Sequence, residues 1–308
     1  MLRTAIFSAI ILLLASACTS ENATDERPLV VTTTMMLEDA VKQIAGDKLN
    51  VVGLMGPGVD PHVYRATPRD IRNLDRASLI IYNGLFLEAR LSEILSKMGS
   101  RAFAASEILP HESLIEAAEF GGNFDPHVWF DVSLWAEVVK GIARKLSETF
   151  PEHASYFNQN LTIYLDELAG LDEWVRSKMA QIPTSKRVLI TAHDAFGYFG
   201  KAYQVEVKGI QGLNTQTEAG IQDISRLAYT ILEREIPAIF LETSVPPRTI
   251  RSLMNSVRQQ GGNVELGGEL FSDAMGARGT PEGTYIGMIK ANVRTISNAL
   301  LIDKYDYE

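Results

Sequence analysis

Residues 151–182 read PEHASYFNQNLTIYLDELAGLDEWVRSKMAQI. Within them Phe157, Leu161, Tyr164, Leu168, Leu171, Val175 and Met179 recur at spacings of three or four, laying one apolar stripe along a single helix. About 30 residues at 1.5 Å each span roughly 45 Å, the width of a domain. Asp131 can cap a preceding helix to about Phe150, and no strand signal occurs between Asp131 and Ile182. The stretch is read as a rigid strut joining two lobes; an ordinary core helix of one large domain is the alternative.

Short β-type runs alternate with helical patterns on both sides of the strut. Before it come strands at 29–33, 51–55, 79–82 and 102–105, with helices at 36–45, from Pro68 behind the cap Thr67, and at 86–98. After it come strands at 187–191, 204–207, 238–241 and 263–266, with helices at 195–202, 218–234, 247–259 and 284–301. This rhythm implies an α/β fold, two lobes with mostly parallel sheets covered by helices, joined by one long rigid α-helix. The expected division is 29–150, 151–182 and 183–308.

The chain has 308 residues, 46% of them apolar, and 38 acids against 29 bases leave a net charge of −9. At roughly 100–200 residues per domain this allows two domains, each with a sizeable core. The acidic balance argues against nucleic acid as a partner, because phosphate binding needs a basic face. Metal cations remain compatible.

Residues 1–17 have a basic start at Arg3, an apolar run from Ala5 to Ala15 and small residues before Cys18. That is the pattern of a secretory signal, too short for a membrane-spanning helix, which needs about 20 apolar residues. Cys18 is the sole cysteine, so no internal disulfide can form. Leu14-Ala15-Ser16-Ala17-Cys18 resembles the bacterial lipobox, with Ala15 where Leu is usual. The expectation is an exported lipoprotein, acylated at Cys18 and tethered to a membrane surface by residues 18–28.

The chemistry rests on five histidines. Two occur in a repeated tetrapeptide, Asp60-Pro61-His62-Val63 and Asp125-Pro126-His127-Val128, each following a glycine-containing loop and stiffened by its proline. His193 ends a strand, at the sheet edge where open α/β proteins bind ligands, although a satisfied core histidine fits the same position. Asp273 follows the last strand at the same kind of edge, where a helix cap or turn acid is the alternative. Together these four offer three nitrogens and one oxygen that could converge between the lobes, a set suited to zinc or manganese. His111 and His153 read as solvated bystanders.

The motifs as a set are Gly58-Val59-Asp60-Pro61-His62-Val63-Tyr64, Asp125-Pro126-His127-Val128-Trp129, Thr191-Ala192-His193-Asp194-Ala195-Phe196, Ile239-Phe240-Leu241-Glu242 and Leu270-Phe271-Ser272-Asp273-Ala274-Met275. They resemble solute-binding protein family 9, the bacterial solute-binding proteins of zinc and manganese ABC importers, over nearly the whole mature chain. The resemblance implies one metal ion, Mn2+ or Zn2+, held between the lobes by His62, His127, His193 and Asp273. It also implies a monomer that delivers the ion to a membrane permease powered by an ATPase, and that catalyses no reaction. The short 106–125 segment and His193, where manganese members commonly carry Glu, place the chain near the branch with three His and one Asp, which suits either metal. The strut favours limited rocking over wide hinge closure. Asp194 and Glu242 are candidates to orient a ligand imidazole, with a helix cap and a strand-end acid as their alternatives. Two competing readings are a zinc hydrolase with Glu242 as base and a surface adhesin; no His-Glu-x-x-His motif supports the first and no feature names a partner for the second.

Overall fold

The computed structural model describes residues 26–117, 122–216 and 219–301. The signal segment and Cys18 lie outside the described residues, as do Gly121 and Glu218. Among the described residues no helix is long and apolar enough to cross a membrane.

The N-terminal half contains β1 (Leu29–Thr32), α1 (Met35–Ala45), β2 (Asn50–Gly53), α2 (Pro68–Arg76), β3 (Leu79–Tyr82), α3 (Ser92–Lys97), β4 (Ala102–Ala104), β5 (Glu116–Ala117), β6 (Asn123–Phe124) and α4 (Val132–Thr149). The long helix is α5 (Ala154–Ala180), entered through a 3-10 turn at Pro151–His153. Beyond it lie β7 (Val188–His193), α6 (Gly197–Tyr203), β8 (Glu206–Gln211), α7 (Ile221–Glu233), β9 (Ala238–Glu242), α8 (Arg248–Gln259), β10 (Glu265–Leu270) and α9 (Tyr285–Leu301).

The first sheet is parallel in the order β2-β1-β3-β4. The second half has two parallel ladders, β7 with β8 and β9 with β10, and β7 runs beside β9. Capping follows the sequence: Thr67 and Asp70 close a reciprocal capping box on α2, and the Asp131 carboxylate accepts the Ser133 and Leu134 N–H groups to start α4.

Strand alternation sorts the cores. Val30, Leu79 and Ile81 face one way and join a buried cluster that continues through α1, α4, α5 and α9 to Leu189, Phe240 and Leu270 in the second half. Val31 and Ile80 face the other way, onto α2 and α3, while Val188, Ile190 and Ile239 face α7 and α8. The two lobes therefore share their largest core, and α5, about 40 Å long at 1.5 Å per residue, is the part common to both. It packs on α1 and α4 from one half and on α6 and α9 from the other.

Three elements differ from the sequence reading. The expected helix from Phe86 starts later, because Leu85 and Phe86 adopt left-handed φ of 50° and 67°. The buried Glu88 carboxylate accepts the Asn83 and Gly84 N–H groups and the Thr33 hydroxyl, which pins the chain in that turn. The strand expected at 204–207 is displaced to β8, because Gln204 (φ 58°) caps α6 in the left-handed region. The strand expected to stop at Leu266 continues to Leu270 through a bulge at Gly267-Gly268; a Cβ on Gly267 would meet the Phe240 ring at 2.6 Å, so the pair passes where side chains cannot. The antiparallel pair β5–β6 was not foreseen.

Arg278, in the loop after β10, reaches across to α1: its Nη2 lies 2.6 Å from Glu38 Oε2, and Lys42 Nζ lies 2.6 Å from Oε1. Burial pushes the Glu38 carboxyl up, but Arg278 and Lys42 outweigh it and hold it below its ordinary 4.5. A carboxyl depressed in the folded state stabilises above its unfolded value and loses that contribution as pH falls through the folded one. Glu38→Gln is thus expected to lower stability at neutral pH and to match the parent in acid below that depressed value; an equal deficit in urea melts at both pH values would contradict this. Leu171→Ala, in the shared core, is expected to cost about 2–5 kcal/mol, measured in the same melts.

Candidate metal centre

The carboxyl ends of the strands in the second half supply three acid or imidazole side chains. His193 is the last residue of β7, Glu242 the last of β9, and Asp273 follows β10 by three residues. The Glu242 carboxylate holds His193 twice: Oε1 accepts its backbone N–H at 2.8 Å, and Oε2 lies 2.6 Å from Nδ1. In the first half each Asp-Pro-His repeat closes on itself, with Asp60 Oδ1 accepting the His62 N–H at 2.8 Å and Asp125 Oδ1 accepting that of His127 at 2.9 Å. Asp125 Oδ1 also lies 2.7 Å from His127 Nδ1.

With Nδ1 of His127 and of His193 each next to a carboxylate, the Nε2 atoms of both rings face Asp273. Nε2 of His62 and of His127 are 3.3 Å apart, and His127 Nε2 and His193 Nε2 each lie 3.3 Å from an oxygen of Asp273. His62 Nε2 is 3.8 Å from Asp273 Oδ2. One donor atom from each of the four side chains falls within 4.8 Å of all the others. The Asp273 oxygen near His127 is Oδ1 and the one near His193 and His62 is Oδ2, so both carboxylate oxygens face the imidazoles. All four side chains are buried.

Among the described residues the Asp273 oxygens have no well-aligned hydrogen bond, and their polar neighbours are the imidazoles. Burial would raise its pKa, but the imidazoles of His193, His127 and His62 hold it well below the usual carboxylate range. Burial depresses His127 as well, yet Asp125 and Asp273 outweigh it and lift the ring to about 9. Glu242 and Asp273 likewise overcome burial to raise His193, whereas burial prevails at His62 and takes it down to about 3. The pocket favours positive charge beside Asp273, and a divalent cation bound to neutral imidazoles satisfies the same field.

The four donors expected from the sequence are thus brought together. Glu242 contacts His193 directly, while Asp194 lines a different crevice, with Gly209, Ile210 and Arg226. His111 sits against Phe124 and His153 against Phe157, both outside the cluster. The sequence reading missed the roles of Asp60 and Asp125, although the acid two residues before each histidine was the available signal. It also missed Trp129, whose indole N–H donates to the Ser272 carbonyl at 3.1 Å beside Asp273.

The family model described as zinc-uptake complex component A, periplasmic, matches residues 30–299. The chain belongs to this family. Within it, the chain is 49% identical over 280 residues to the zinc-binding protein TroA of Treponema pallidum, covering 90% of both chains. It is 43% identical over 278 residues to the manganese-binding lipoprotein MntA of Bacillus subtilis, again covering 90% of each. The solved structure of the periplasmic zinc-binding protein TroA superposes with a TM-score of 0.87 over 89% of this chain and 99% of that one. The family membership and fold class agree with what the sequence motifs implied.

Asp125→Asn and Glu242→Gln each remove the charge that orients one imidazole. Each is expected to weaken metal binding about 10–100-fold, read by competition with a chromogenic chelator. Parental affinity in both would contradict the orienting role.

Proposed function

We propose that His62, His127, His193 and Asp273 bind one divalent transition-metal ion as cargo, and that the chain is the extracytoplasmic substrate-binding component of a metal ABC importer. The observation that carries this is the buried convergence of three imidazoles on one carboxylate, with one ligand atom from each side chain within 4.8 Å of all the others. Zinc and manganese are the metals in the names of the similar proteins, and a site of three nitrogens and one oxygen favours zinc in intrinsic affinity. Four protein donors fill a tetrahedral shell, which disfavours a hydrolase with a metal-bound water.

The finer reading has residues 29–150 and 183–308 acting as two lobes about a connecting segment at 151–182, and docking as a monomer on a permease that works with an ATPase. Residues 1–17 direct export, and acylated Cys18 with residues 18–28 tethers the protein to the membrane. The shared core through α5 and α9 supports limited rocking of the lobes.

Calorimetry is expected to give one zinc ion per chain, and zinc is expected to raise the melting temperature by binding the folded state alone. Alanine at His62, His127, His193 or Asp273 is expected to weaken binding by orders of magnitude, while His111→Ala and His153→Ala leave it unchanged. His193→Glu exchanges a borderline nitrogen for a hard oxygen and is expected to harm zinc affinity more than manganese affinity. A folded His193→Ala that binds zinc like the parent overturns the site.

A further inference from the structure

His62 differs from its two partners in what holds it. The rings of His127 and His193 are anchored through Nδ1 by Asp125 and Glu242, acids of their own lobes. Among the described residues no carboxylate pairs with His62 Nδ1, so the ring is positioned through its backbone. Its carbonyl is tied to the opposite lobe directly and its N–H through Asp60. On the N–H side, Asp60 Oδ1 accepts the His62 amide, and its other oxygen accepts the Thr215 hydroxyl. On the carbonyl side, Gln216 Nε2 donates to His62 O at 3.2 Å, and Arg90 Nη2 holds Gln216 Oε1 at 3.4 Å.

Thr215 and Gln216 lie in the turn that follows β8, four and five residues after its last residue, Gln211. The turn is anchored to the second lobe by the parallel β7–β8 ladder, which pairs His193 with Gln211. A displacement between the lobes therefore pulls directly on the peptide of His62. The same displacement leaves the Nδ1 anchors of His127 and His193 intact, since each lies within one lobe.

We propose that the 213–216 turn is a clamp on the His62 peptide, with Thr215 and Gln216 as positioning residues that set how long the metal stays bound. The inference rests on His62 being a ligand. Closure of the lobes seats His62 in the cluster, and opening withdraws it first, leaving an ion held by three donors and accessible for transfer. Thr215 carries the larger share, because its hydroxyl donates to a carboxylate, whereas the Gln216 contact is neutral and exposed to water.

The test mixes zinc-loaded full-length protein with excess chelator in a stopped-flow instrument. Thr215→Val is expected to release zinc about 10–100-fold faster, the equivalent of losing one hydrogen bond to a charged group. Gln216→Ala is expected to give a smaller acceleration, and Thr215→Ser, which keeps the hydroxyl, to restore the parental rate. Zinc association by Thr215→Val should stay within about twofold of the parent, since a clamp acts after capture. Parental release rates in both Thr215→Val and Gln216→Ala overturn the clamp, as does an association rate that falls as much as release rises. Equilibrium zinc affinity of His62→Ala separates the two levels: weak binding there with parental release in the turn variants defeats the clamp alone, whereas parental affinity defeats the ligand assignment beneath it.

Discussion

A carboxylate buried with only imidazoles for polar neighbours must be balanced by positive charge, and Asp273 imposes that demand on everything around it. Its partners are imidazoles, each nitrogen of which can hold a proton or coordinate a cation but not both. Asp125 and Glu242 lie against Nδ1 of His127 and His193, which leaves the Nε2 atoms facing Asp273. His127 is raised to about 9 and His193 is raised as well, because the neighbouring acids favour positive charge on both rings.

The geometry of the site is constrained by the shared core. Two lobes with separate cores could swing apart with little loss of packing, but here α1, α4, α5 and α9 pack into one buried cluster that reaches both sheets. Wide opening would expose part of it to water at roughly 25 cal/mol for each Å² of apolar surface. Small relative rotations are the motions this architecture permits at low cost, and Arg278 on Glu38 adds a polar restraint at the rim. A site whose donors sit within 4.8 Å of one another needs only a small rotation to lose one of them.

Much of this was legible in the sequence because the signals were local. The stripe from Phe157 to Met179 specified the long helix, and the caps at Thr67 and Asp131 specified where α2 and α4 begin. The convergence of the three histidines was legible because histidine is scarce in this chain and Asp-Pro-His occurs twice, whereas Asp273 was marked only by its place after the last strand. What escaped depended on contacts remote in sequence. Gly267-Gly268 read as the end of a strand, and only the Phe240 ring packed against it explains why the strand continues without side chains there. The left-handed turn at Leu85 and Phe86 depends on Glu88 reaching back to the ends of two strands. The role of Thr215 arises from a residue 155 positions away, so no local pattern announces it.

The repeated tetrapeptides also prove unequal, and the inequality divides the cluster. His127 is tied to Asp273 by more than charge: Trp129, two residues on, donates to the carbonyl of Ser272, Tyr285 donates to the carbonyl of Trp129 at 2.7 Å, and the Ser244 and Ser272 hydroxyls pair at 2.8 Å. Parting His127 from Asp273 means breaking the buried Trp129 bond, and a buried donor left without a partner costs about 1–3 kcal/mol. Parting His62 from the rest breaks contacts at Thr215 and at the exposed Gln216, where water can replace what is lost. His127 is therefore tied to Asp273 through buried contacts, and His62 to the second half through contacts that water can reach. The same Asp-Pro-His sequence serves both purposes because the side chain of its acid is free to bind either its own histidine ring, as Asp125 does, or the opposite lobe, as Asp60 does.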